Sequence, residues 1–140
     1  MDQNKLLKAL DDETNESLLN FTSDKLLEMN LNILKELHLP KDKTLEFLKK
    51  IQNYKYIDEI NELKPGTFIR WICLINPEDI KLQKGAIFCE VKIKEEGVFI
   101  IYKNFNSEKR YQLKMDECLI FQKLTNNELI LLSALDHLAK

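Results

Sequence analysis

Three cysteines, two histidines and one arginine inside an apolar run are the residues of this sequence most able to do chemistry. Cys73, Cys89 and Cys118 lie far apart and form no CxxC pair. A zinc site needs closely spaced ligands, and His38 and His137 fall in helical segments distant from every cysteine, so no metal is expected. Each cysteine sits among strand-like residues, as in Trp71-Ile72-Cys73 and Phe88-Cys89-Glu90-Val91. That setting predicts buried free thiols in a reducing, intracellular compartment, cytoplasmic or nuclear. Ser133, Asp136 and His137 gather the residue types of a hydrolytic triad. One regular helix would carry all three, with Asp136 and His137 about 100° apart around it, so no triad is expected. The acidic clusters Asp11-Asp12-Glu13, Glu78-Asp79, Glu95-Glu96 and Asp116-Glu117 read as loops or solvated ends, and Gly66, Gly85 and Gly97 are too dispersed for a phosphate-cradling GxGxxG. These observations predict no enzyme, no cofactor and no small-molecule substrate.

Arg70 interrupts Thr67-Phe68-Ile69-Arg70-Trp71-Ile72-Cys73-Leu74-Ile75. A buried charge without a partner is expensive, so Arg70 must either pair with a carboxylate or lie on a functional face, with Trp71 on the opposite side. A second group is basic and aromatic: Lys92, Lys94, Lys103, Phe105, Lys109, Arg110, Tyr111 and Lys114. Such residues neutralise phosphates and stack bases, and Arg70, Lys92, Lys94, Lys103, Arg110 and Tyr111 are the candidate nucleic-acid contacts. Glu90, Glu95, Glu96 and Glu108 interleave with them and weaken any positive field. A third group is apolar: Leu27, Leu31, Leu34 and Phe47, on Leu-rich helices, are candidate contacts for a protein partner or a second copy of the chain.

The elements that must position these residues follow from periodicity. Leu6, Leu7 and Leu10 suit a short amphipathic helix, and the charges Lys8, Asp11 and Asp12 rule out a signal peptide there. A helix over 24–39 is expected after a Ser23 N-cap, with Leu26, Leu27, Leu31, Ile33, Leu34 and Leu37 on one broad stripe and Pro40 as its stop. His38 in its last turn would suit the negative end of the dipole. A helix over 42–53 would bury Leu45, Phe47, Leu48 and Ile51, while residues 53–63 stay ambiguous between helix and packed connector.

After Pro65-Gly66 the period changes to two. Strands are expected over 67–75, 86–94, 98–103, 110–114 and 118–123, with a hairpin at Glu95-Glu96-Gly97. Over 86–94 the alternation sets Ile87, Cys89, Val91 and Ile93 against Glu90, Lys92 and Lys94. Five short strands predict a small bent sheet that closes into an SH3-like or OB-like barrel to hide its edges. Thr125-Asn126-Asn127-Glu128 is a capping box opening a final helix to about Leu138.

The segment Leu63-Lys64-Pro65-Gly66-Thr67-Phe68-Ile69-Arg70-Trp71-Ile72, with Lys84-Gly85-Ala86-Ile87-Phe88, resembles uncharacterised small proteins of large DNA viruses and phages. The resemblance implies a viral origin and a small β-barrel core, and brings no catalytic residues.

The expected protein is α+β: a helical region over 1–62, a small antiparallel barrel over 63–124, and a C-terminal helix over 125–140 packed on that barrel. Charge follows these divisions, with 9 Lys against 12 acids in residues 1–60 and 11 Lys+Arg against 9 acids in residues 61–123. A net charge of −2 argues against capture of nucleic acid by bulk charge, and no apolar stretch approaches the roughly 20 residues that span a bilayer. The leading expectation is a non-enzymatic protein-interaction or assembly module, a viral accessory or virion-associated protein. The alternative is nucleic-acid binding by the sheet.

Overall fold

The computed structural model describes residues 22–139, and the helix expected around Leu6, Leu7 and Leu10 lies outside them. The described chain divides into two compact units, residues 22–55 with 124–139, and residues 56–123.

The first unit is built from three helices, α1 (Ser23–Lys35), α2 (Lys41–Lys50) and α3 (Asn126–Leu138). Thr22, one residue earlier than expected, is the N-cap of α1, its hydroxyl accepting from the Lys25 amide. Ser23 is the first helical residue instead, and its amide donates to Asp136 Oδ1 at 2.6 Å. The helix stops at Lys35, four residues short of the expected end, because His38 takes a left-handed φ of +55°. His38 is therefore outside the helix rather than in its last turn. Pro40 opens α2, its carbonyl accepting from the Thr44 amide at 3.0 Å, and its fixed φ suits a helix start. Leu26, Leu124, Leu131 and Leu132 form one buried cluster, with Met29, Leu129 and Leu135 packed against it. The C-terminal helix shares its buried leucines with α1, and the Ser23–Asp136 bond ties the two together.

The second unit, with residues 54 and 55 of the first, carries a sheet of six strands in the order β1-β6-β2-β3-β4-β5. They are β1 (Tyr54–Ile57), β2 (Phe68–Cys73), β3 (Ala86–Lys94), β4 (Gly97–Lys103), β5 (Arg110–Lys114) and β6 (Cys118–Lys123). All five expected strands are present, and β1 arises in the ambiguous stretch. The pairings from β6 through β2, β3 and β4 to β5 are antiparallel. The sheet is open, not a closed barrel: closure would need the first and last strands to pair, and here β1 and β5 are its two edges. Open edges are tolerated when short and polar. β1 has four residues, and on β5 the side chains of Arg110, Tyr111 and Gln112 are exposed.

One face of the sheet holds the core: Ile57, Leu63, Ile69, Trp71, Ala86, Phe88, Ile100, Leu113 and Ile120. On β3 the expected alternation fails before residue 90. Ala86 and Phe88 are buried where Ile87 and Cys89 were expected, because a β-bulge between Phe88 and Glu90 resets the phase. Beyond it Val91 packs on the core as expected, while Ile93 is 74% exposed near the strand's end. The turn Lys64-Pro65-Gly66-Thr67 aligns β2: the Thr67 amide donates to the Lys64 carbonyl at 3.2 Å, and Gly66 supplies the φ of +87° that a side chain would resist.

Candidate nucleic-acid interface

Strand register decides which cations share a face, because side chains alternate and directly paired residues stand on the same side. Arg70 pairs with Phe121, Phe68 with Ile87, Ile87 with Lys103, and Lys103 with Arg110. Lys92 pairs with Phe99, Phe99 with Lys114, and Lys94 with Gly97. All of these lie on the face opposite the core. Arg70, Lys92, Lys94, Lys103, Arg110 and Lys114 are thus on one side of the sheet, joined by Lys123 at the end of β6, with Glu90 the single acid among the strand residues there. That side is exposed along β3 and β5, while Ile72, Ile101 and Phe121 on it are buried.

The cations stand at both ends of the β3–β4–β5 ladder. Lys103 and Arg110 mark one end; Lys92 and Lys114 stand about 13 Å and Lys94 about 20 Å further along the strands at about 3.3 Å per residue. Lys94 donates to Gln112 Oε1 at 3.3 Å and its ammonium lies 4.9 Å from the Phe99 ring. Gly97 clears room for Lys114, whose Cε would stand 2.9 Å from a Cβ placed there. Glu90 approaches Lys92 at 3.8 Å, an exposed contact worth under about 1 kcal/mol. The half-buried Arg70 donates from Nε to the Gln83 carbonyl at 3.0 Å, which aims its guanidinium, and Trp71 lies on the core face as expected.

Aromatic rings complete the face. Phe68 and Phe105 stack with centroids 5.2 Å apart and planes 14° apart, and the Lys123 ammonium lies 5.6 Å from the Phe68 ring. Phe105 is 62% exposed on the loop after β4, so its free side offers a platform on which a base can stack. Sequence reading overlooked Phe68, Phe99 and Lys123. The strand period could have placed Phe68 and Phe99, since Phe68 is two residues from Arg70 and Phe99 is four from Lys103.

Tyr111 does not belong to this face. Its neighbour Arg110 does, and adjacent strand residues point to opposite sides. Tyr111 instead stacks on Tyr102 of the core face at 5.6 Å, with the Lys109 ammonium 5.2 Å from its ring. The set expected to meet a protein partner is also corrected. Leu34 and Phe47 are buried, at 0% and 4% exposed, and Leu31 is half-buried. Leu27 alone of the four is exposed, at 52%. With Leu26, Leu45, Leu48, Ile51 and Leu132 it lines a groove of about 530 Å³ in that unit.

The cysteines are half-buried rather than buried. Among the described residues no three His, Cys, Asp or Glu side chains gather as metal ligands, and no helix is long and apolar enough to cross a membrane. No family model matches this chain and no curated protein or solved structure matches it, so none of them supports or opposes the resemblance to viral and phage proteins.

Proposed function

We propose that the outer face of the sheet binds single-stranded nucleic acid with little sequence preference. The observation that carries this reading is the segregation of charge: among the described strand residues, seven cations and one acid share one side of the sheet in a chain whose net charge is −2. Phosphates would lie along Lys103, Arg110 and Arg70 at one end and Lys92, Lys94 and Lys114 at the other. Bases would stack on Phe105, backed by Phe68. Stacking and charge neutralisation bind a strand without reacting with it, so this function requires no catalytic step.

Fluorescence anisotropy of a labelled oligothymidylate of about ten nucleotides, at low salt, tests the proposal. Binding by the native chain, strongly weakened in a Lys103→Glu, Arg110→Glu variant and unchanged in Tyr111→Ala, is the expected pattern. Absence of any anisotropy change at low salt would overturn it.

A second reading, self-association, is favoured by the helical groove. Leu27 and Leu45 are 52% and 45% exposed at its edge, and Asp24 and Lys49 also line it. A two-fold copy would set Lys49 against Asp24 and bury both leucines. Light scattering decides: a dimer that Leu27→Glu dissociates supports this reading, and a monomeric native chain removes it.

A further inference from the structure

Along the chain Cys73 and Cys118 are unrelated thiols, but the fold pairs them. They are direct partners across β2 and β6. The Leu74 amide donates to the Glu117 carbonyl at 2.8 Å, which makes Leu74 and Glu117 a hydrogen-bonded pair. Antiparallel pairs alternate, so Cys73 and Cys118 are the closer, non-hydrogen-bonded kind, with Cα atoms about 4.5 Å apart and side chains on one side. That spacing falls within the roughly 4.4–6.8 Å that a disulfide bridges. Both thiols are half-buried, and Cys118 lines a cavity of about 480 Å³ together with Leu74, Met115 and Asp116. Cys89 stands apart at the β3 bulge, its Sγ 3.7 Å from the Ile87 carbonyl.

We propose that Cys73 and Cys118 form a redox site that closes into a disulfide across β2 and β6 on meeting a low-molecular-weight disulfide. One cysteine sulfur, as its thiolate, attacks a sulfur of the small disulfide. A mixed disulfide forms, and the small thiolate leaves and takes up the proton the cysteine gave to solvent. The second cysteine sulfur then attacks the protein sulfur of that mixed disulfide, and a second small thiol leaves. Two protein thiols are oxidised, one small disulfide is reduced to two thiols, and no proton is gained or lost overall. The bond would lock the β2–β6 register at its Cys73–Cys118 end and enclose residues 74–117 in a covalent loop. Burial, then the Cys73 thiol and the Glu117 and Asp116 carboxylates, push the Cys118 thiol up to about 12, which slows its exchange at neutral pH.

The test treats the full native chain with glutathione disulfide and maps its peptides by mass. The expected product is one intramolecular Cys73–Cys118 link, two hydrogens lighter, with titratable thiols falling from three to one and the change reversed by dithiothreitol. Cys89→Ser should close equally well. Cys73→Ser and Cys118→Ser should instead stop at a stable mixed disulfide on the remaining partner. Retention of all three thiols in the native chain, a mixed disulfide confined to Cys89, or cross-linked dimers through Cys73 or Cys118 would each overturn the proposal. The deciding readout comes from the native chain, so the test holds even where a serine variant fails to fold.

Discussion

Gln122 shows how much one side chain can fix in this protein. It is 4% exposed on β6, and its carbonyl oxygen accepts from the Lys64 amide at 2.8 Å and from the Thr67 hydroxyl at 2.9 Å. Its amide donates to the Glu62 carbonyl at 3.0 Å, so both ends of the side chain hold the chain on either side of Pro65. Gln122→Ala should lower stability by about 2–3 kcal/mol, measured by urea unfolding, because buried polar groups lose bonds that water cannot replace. Cys118 predicts a pH effect. Its ordinary value of 9.0 rises to about 12 in the fold, so between those values the folded chain keeps a proton that the unfolded chain has lost. The contribution is intact below about pH 9 and falls as pH climbs toward 12. Unfolding curves of the native chain should show a steeper alkaline loss of stability than those of Cys118→Ser. At the outer face, Phe105→Ala should weaken oligothymidylate binding by about 5- to 150-fold in the anisotropy assay, the equivalent of one stacked base.

Among the elements, the helices are secured at their ends. The Thr125 hydroxyl accepts from the Glu128 amide at 3.2 Å while the Glu128 carboxylate accepts from the Thr125 amide at 2.9 Å, the reciprocal pair expected from the sequence. At α1 a carboxylate from α3 does similar work, Asp136 accepting from the Ser23 amide and hydroxyl at the positive end of the α1 dipole. Asp136→Ala should destabilise the chain by about 1–2 kcal/mol and Thr125→Ala by about 1 kcal/mol, both read from denaturant midpoints. The strands depend on irregularities instead. Without the bulge at Cys89, Lys92 and Lys94 would lie on the core face, since the first half of β3 runs in the opposite phase.

For the whole molecule, net charge is a poor guide to what the surface can hold. A charge of −2 is an average over a helical region with an acidic excess and a sheet whose outer face is basic. If about six of the face's cations each neutralise a phosphate, log K for a single strand should fall against log salt with a slope of about −4. A titration series in sodium chloride measures that slope, and a slope near zero would place any binding elsewhere than this face.

The helical and strand segments were legible along the chain because each periodicity is local: Leu26 and Leu34 share a helix face, and Arg110, Gln112 and Lys114 share a strand face, whatever surrounds them. The capping box was legible for the same reason, its two partners being three residues apart. What packs against α3, which strands form the edges, the phase of β3 and the meeting of Cys73 with Cys118 all depend on pairings between residues dozens of positions apart. Such pairings leave no trace in a periodicity, and only the folded chain decides them.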